Sequence, residues 1–156
     1  MPSIGLGTAW LTSKESIVQA VLECGYRHVD TASAYNNEDV VGEALQEVFS
    51  RGVNREDVFV TTKLWHTHYH DVEGALRASL QKLKLQYVDL YLIHAPLGYY
   101  SEPKMPMHVL WEEMEKLVEK GLAKSIGVSN FTAQMIWDLL SYCKIQPVCN
   151  QIELNP

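Results

Sequence analysis

Two kinds of hydrophobic segment alternate along the chain. Leu90-Tyr-Leu-Ile93, with Val88-Asp89 before it and His94 after it, is apolar at nearly every position. A run this short, bounded by Asp89 and by Ala95-Pro96, suits a strand buried on both faces better than a buried helix. Val58-Phe-Val-Thr-Thr-Lys63 is rich in β-branched residues and reads as a second strand. Ile4–Thr8, His28–Thr31, Ser125–Asn130 and Pro147–Ile152 give four more. Between the strands the apolar positions switch to helical spacing: Ile17, Val18, Val21 and Leu22; Val40, Val41, Ala44, Leu45, Val48 and Phe49; Val72, Leu76, Leu80 and Leu83; Leu110, Met114, Leu117 and Val118; Met135, Ile136, Leu139 and Leu140. Thr12-Ser-Lys-Glu15 reads as a capping box for the first helix, and Asp71 as the cap of the third. Gly25, Gly52 and Gly121 read as helix stops. The two glycines of Ile4-Gly-Leu-Gly-Thr8 mean either close approach of a ligand or a turn. They are not a dinucleotide fingerprint, because the third glycine and the helix start are missing.

Strand–helix alternation of this depth predicts a parallel α/β fold with right-handed crossovers. An open doubly wound sheet and an eight-stranded barrel both fit. No linker or low-complexity tract interrupts residues 1–156, so a single domain is expected. The loop from Pro96 to Pro106 is long enough to be functional.

Composition changes this picture little. With 47% hydrophobic residues the chain can bury a core, and a net charge of −6 argues against nucleic acid. No apolar run is long enough to span a bilayer and the N-terminus lacks a signal-peptide pattern, so a cytoplasmic protein without a membrane is expected. Cys24, Cys143 and Cys149 show no framework spacing and read as reduced, mostly buried thiols. His66, His68 and His70 alternate, but the stretch reads as a loop and no other ligand set surrounds it, so no metal is expected. Glu112, Glu113, Glu115 and Lys116 read as the solvated face of a helix.

The strand ends carry the chemistry. Asp30, Lys63, His94, Ser129-Asn130 and Gln151 all fall at or near C-terminal ends of successive strands, which in a barrel face one cavity. Each has an ordinary reading: a turn-forming Asp, a solvated Lys, a core His, a helix cap. A buried lysine needs a partner, and Asp30 on the neighbouring strand supplies one. Tyr35 leaves the Asp30 strand five residues on. A phenol titrates near pH 10, and a nearby ammonium favours its phenolate. Such a tyrosine can protonate a developing alkoxide while His94 donates a hydrogen bond to the same oxygen. That is carbonyl reduction, and its hydride must come from a nicotinamide cofactor.

At these residues the chain resembles the aldo-keto reductase family. The matching stretches are Gly5-Leu-Gly-Thr8, Gly25-Tyr-Arg-His-Val-Asp-Thr-Ala32 with Tyr35 and Asn37-Glu38, Thr62-Lys-Leu-Trp65, Asp89-Leu-Tyr-Leu-Ile-His94, Gly127-Val-Ser-Asn-Phe131 and Gln151-Ile-Glu-Leu-Asn-Pro156. The resemblance implies a (β/α)₈ barrel, of which about six βα units are present. It implies reduction of aldehydes or ketones with NADPH, using Asp30, Tyr35, Lys63 and His94 as the catalytic set. Thr8, Ser129, Asn130 and Gln151, with Asp30, would contact the cofactor. The substrate is a small carbonyl compound held by Tyr35 and His94, with Trp10 and Trp65 as further walls. Ala95 stands where many members have Trp, so that side of the pocket should be roomier. The units after Pro156 that would grip the adenosine 2′-phosphate are missing from the match. The complete barrel is therefore expected as a monomer, and this chain alone as self-associating and weak for NADPH. Two other readings remain open at this stage: a non-catalytic binding or structural protein on the same scaffold, or an inactive fragment of it, and a barrel lyase using Lys63 as a Schiff base.

Overall fold

The computed structural model describes residues 1–98 and 101–154. Tyr99 and Tyr100 of the long loop, and Asn155-Pro156 of the last motif, lie outside the described residues. Six strands form one sheet in the order of the chain, every neighbouring pair parallel: β1 (Leu6–Gly7), β2 (His28–Asp30), β3 (Phe59–Leu64), β4 (Leu90–Ile93), β5 (Ile126–Ser129) and β6 (Asn150–Gln151). The connecting helices are α1 (Lys14–Leu22), α2 (Glu38–Ser50), α3 (Val72–Leu83), α4 (Met107–Glu119) and α5 (Ala133–Leu140). A sheet that adds each new strand to the same edge is the winding of a barrel. A doubly wound sheet reverses its order at a switch point. The described residues form six strands and five helices of a (β/α)₈ barrel.

The apolar stripes read from the sequence form the core. Ile17, Val18 and Val21 of α1, Val41, Ala44, Leu45 and Val48 of α2, and Leu76, Leu80 and Leu83 of α3 are buried against β2 to β4. Asp71 caps α3 as expected, its carboxylate accepting from the Gly74 N–H at 2.9 Å. Gly25, Gly52 and Gly121 all take positive φ just past helix ends. Gly5 answers to packing: a Cβ there would come within 2.7 Å of His28 Nδ1.

Several expectations are corrected. Ser13, not Thr12, caps α1, because its Oγ is the group that accepts from the Ser16 N–H at 3.3 Å. Ser129-Asn130 does not cap α5; Thr132 does, accepting from the Met135 N–H. The His66–Asp71 stretch is not irregular but a 3₁₀ turn. The cysteines are free, yet none is fully buried: Cys24 is exposed and Cys143 and Cys149 are half-buried. Glu115 is not on the solvated face. It is buried, and its Oε1 accepts from the backbone N–H groups of Lys144 (2.6 Å) and Ile145 (2.8 Å). Helix α5 buries only Leu139, leaving Met135 and Leu140 of its predicted stripe exposed. No helix of the described residues is long and apolar enough to cross a membrane.

Candidate active site

The parallel register fixes the site. Asp30 pairs with Thr61, so Lys63 lies two residues further along β3 on the same face of the sheet. Lys63 is only 1% exposed. Its ammonium donates to Asp30 Oδ1 at 2.5 Å, to the Thr31 carbonyl at 2.9 Å and to the Tyr35 hydroxyl at 3.4 Å. Three acceptors of this kind, one of them charged, are what a buried ammonium requires. The solvated reading of Lys63 is therefore excluded, and the Asp30–Lys63 pair expected from the sequence is formed.

Tyr35 closes a short 3₁₀ turn, Ser33–Tyr35, directly after β2. The Ser33 hydroxyl donates to the Lys63 carbonyl at 2.9 Å, so the turn is tied to the strand whose side chain it must meet. His94 follows β4, and its N–H continues the ladder to the Leu64 carbonyl at 3.1 Å. Its ring stands edge-on to Tyr35 (centroids 5.6 Å apart) and to Trp65 (5.0 Å). Burial pushes the His94 imidazole down to about 4, and the Lys63 charge adds to that while Asp30 opposes it. The ring is thus neutral near pH 7. Its Nδ1 is buried without a hydrogen-bond partner. Nε2 has no hydrogen-bond partner among the described residues and is not buried like Nδ1, so it is the ring nitrogen open to the cavity.

The remaining strand ends converge on the same carboxylate. Gln151 Nε2 donates to Asp30 Oδ2 at 2.9 Å, which joins β6 to β2 across 121 residues of chain. The Thr8 hydroxyl, fully buried, donates to the Asp30 carbonyl at 3.1 Å. Asn130 adopts a left-handed conformation (φ 61°) that turns its amide back over the strand ends. There Nδ2 donates to the His94 carbonyl (2.9 Å) and to Ser129 Oγ (3.1 Å). Ser129 in turn donates to the Gln151 carbonyl at 2.9 Å. All the residues singled out from the sequence are brought into one cluster, except that Trp10 stands at its rim, 95% exposed.

The cavity over this cluster measures about 370 Å³ and is lined by Ala9, Trp10, Ala34, Tyr35, Asn36, Trp65 and His94. A larger one, about 440 Å³, lies at the opposite end against Pro2, Ile4, Cys24, Tyr26 and Arg27. It holds no paired acid and base and is not the seat of the chemistry. Ala95 keeps its carbonyl for the buried Tyr69 hydroxyl. Among the described residues no group of three or more His, Cys, Asp or Glu is arranged to hold a metal ion.

Two supporting residues were given no role from sequence. Asn37 Nδ2 donates to the carbonyls of Thr8 (2.7 Å) and Leu11 (2.9 Å), pinning the β1 loop beside Tyr35. Glu38, buried, accepts from Thr62 Oγ1 (2.6 Å) and Ser79 Oγ (3.1 Å). The available signal was the polar pair Asn37-Glu38 opening a helix, which on its own reads as capping.

Residues 3–156 match the profile of the Aldo/keto reductase family. Among curated proteins, the chain is 48% identical to "Aldo-keto reductase family 1 member A1-A" of Danio rerio, over 100% of this chain and 54% of that protein. It is 47% identical to the "NAD(P)H-dependent 6'-deoxychalcone synthase" of Glycine max, over 99% and 55%. Among solved structures, the Bombyx mori aldo-keto reductase in complex with NADP superposes with a TM-score of 0.89 at 41% identity, covering 100% of this chain and 55% of that one. The aldose reductase from Schistosoma japonicum gives the same TM-score and identity, over 99% and 57%. The chain spans about half the length of the curated relatives it matches.

Proposed function

The chain belongs to the aldo/keto reductase family, and on that premise we propose that it reduces aldehydes or ketones to alcohols with NADPH. The observation that carries this reading is the buried Asp30–Lys63–Tyr35 chain with His94 edge-on to the phenol. Bound NADPH supplies the hydride. Tyr35 gives its phenolic proton to the oxygen of the carbonyl as negative charge builds there. Lys63, held by Asp30, stabilises the phenolate that remains. His94, neutral and protonated on Nε2, donates to the same oxygen and fixes the orientation of the carbonyl.

The donor set fits a nicotinamide carboxamide. Asn130 Oδ1 and Gln151 Oε1 accept no hydrogen bond among the described residues, and either suits the carboxamide NH₂, while the Ser129 hydroxyl lies between them. Thr8 and Asp30 flank the same strand ends. Trp65 and Trp10 wall the carbonyl's apolar part.

The test follows NADPH absorbance with a reactive aromatic aldehyde, for this chain and for Tyr35→Phe. This chain alone should hold NADPH weakly, so turnover is expected only at high NADPH, and the variant should lose at least about a hundredfold of it, the usual share of a positioned proton donor. Equal rates in the two proteins would remove Tyr35 from the chemistry. Absence of both turnover and NADPH binding would favour a non-catalytic use of the scaffold only if it persists when the remaining βα units of a relative are supplied; recovery with them would uphold the chemistry.

A further inference from the structure

The cavity over Tyr35 and His94 does not end at Trp65. A second hollow of about 390 Å³ shares Ala34, Asn36 and Trp65 with it and continues over Ser33, Thr67 and His68. A third, about 320 Å³, shares Ser33, Asn36 and His68 with the second and reaches His70, Asp71 and Lys82 between α2 and α3. The three form one continuous groove hinged on Asn36, leading from the reacting carbonyl out across the strand ends.

The groove changes character along its length. Next to His94 it is aromatic and small: Trp65, Tyr35 and two alanines. Beyond Trp65 it is hydrogen-bonding and holds no carboxylate, ammonium or guanidinium: Ser33, Asn36, Thr67 and His68. Asn36 is held in the left-handed conformation (φ 54°) with Nδ2 donating to the Ala34 carbonyl at 3.3 Å. Thr67 Oγ1 and His68 Nδ1 pair at 3.0 Å on the exposed turn. Charged groups, Lys82 with Asp71 and the buried Glu38, line only the far end, so the stretch over Ser33, Asn36 and Thr67 has no carboxylate or ammonium to select an ionic ligand.

We propose that this groove is an extended subsite of the same active centre, taking a carbonyl compound with an aromatic head and a neutral polyhydroxyl tail. The head packs on Trp65, and the tail lies over Ser33, Asn36, Thr67 and His68. The proposal rests on the functional reading above for the placement of the carbonyl, but its test is a binding measurement that needs no turnover.

The probes are 4-hydroxybenzaldehyde and its glucoside, titrated by ligand-observed NMR or calorimetry against the full chain and two variants, Thr67→Ala/His68→Ala and His68→Trp. Two or three tail hydrogen bonds, partly offset by ordering, predict about tenfold tighter binding of the glucoside. Both variants should bring the ratio of the two affinities to about one, the first by removing partners and the second by filling the groove. A glucoside that binds no more tightly than the plain aldehyde overturns the subsite while leaving the catalytic reading intact. So does an advantage that survives in both variants. If neither probe binds and Tyr35→Phe changes nothing, the catalytic reading fails together with the subsite.

Discussion

At the scale of single residues, the buried ion pair makes the sharpest demand. Lys63 has no water to fall back on, so its charge depends on Asp30 and the Thr31 carbonyl. Asp30→Ala leaves an uncompensated buried ammonium and should cost about 3–5 kcal/mol, read by urea denaturation. Adding Lys63→Met to that variant should restore most of the loss, because an apolar side chain needs no partner there. A double variant as unstable as the single one would show that Asp30 acts by something other than charge. His28, buried, and His94, half-buried, make a second prediction. His28 and His94 are both held below the ordinary histidine value by burial, His94 at about 4. The unfolded chain takes up protons near 6.5 while the folded one resists, so protonation favours unfolding. Stability should be level above about pH 6.5 and fall as the pH drops toward about 4. The loss of melting temperature between about pH 7 and about pH 5 should shrink in His28→Gln/His94→Gln. An unchanged pH dependence would move the effect to other groups. The Asp30–Lys63 pair was legible in the sequence because a strand-end lysine needs a partner and the next strand offers one. Glu115 was not, since its two backbone donors lie about thirty residues away in a loop with no periodicity to betray the contact.

At the scale of elements, that same carboxylate ties α4 to the connection before β6. Glu115→Ala should leave two part-buried N–H groups without their carboxylate, costing about 1–3 kcal/mol and raising hydrogen exchange at Lys144 and Ile145 well before the core. Loss of stability without local exchange would mean that the helix, not the loop, depends on Glu115. The α2–α3 contact is tighter still: a Cβ at Gly42 would sit 2.2 Å from the Lys82 carbonyl oxygen and 2.8 Å from Leu83 Cα. These are backbone atoms, so the helices must part. Gly42→Ala, ordinarily a gain in a helix, should destabilise by more than about 1 kcal/mol in a thermal melt. The helices were legible because their stripes repeat at 3.6 residues. Their ends were less so: Thr12 and Ser13 present the same hydroxyl chemistry one residue apart, and only the geometry of the turn selects Ser13. β6 is shorter than its apolar stretch, Pro147–Ile152, suggests. Its ladder has one neighbour, β5, and Pro147 has no N–H to give.

At the scale of the whole molecule, the sheet presents two edges, β1 and β6, and the apolar surface is uneven. Trp137 is 76% exposed, Val148 60%, Ile152 52% and Leu154 83%, all on α5 or around β6, with Met135 and Leu140 exposed beside Trp137. The α1 to α4 stripes, by contrast, are covered by their neighbours. Soluble proteins seldom leave several large apolar side chains open on one flank, and an unpaired parallel strand adds free N–H and C=O groups to the same region. Self-association of this chain was expected from the sequence; the exposures locate an apolar flank for it at α5 and β6. Of the possible covers, a second copy of the chain is always at hand in a pure solution. Sedimentation velocity should therefore show a mass that rises with concentration. Trp137→Lys/Ile152→Lys should lower it toward the monomer, since each lysine places a hydrated charge where contact must form. Ile152 adjoins Gln151, which bonds Asp30, so the aldehyde affinity is checked with Trp137→Lys alone, which should leave it within about twofold. A monomer at every concentration would show that the exposed flank is too small or too irregular to pair. A mass unaffected by the two lysines would place the contact on the β1 edge, where Met1, Ile4 and Trp10 are the exposed side chains.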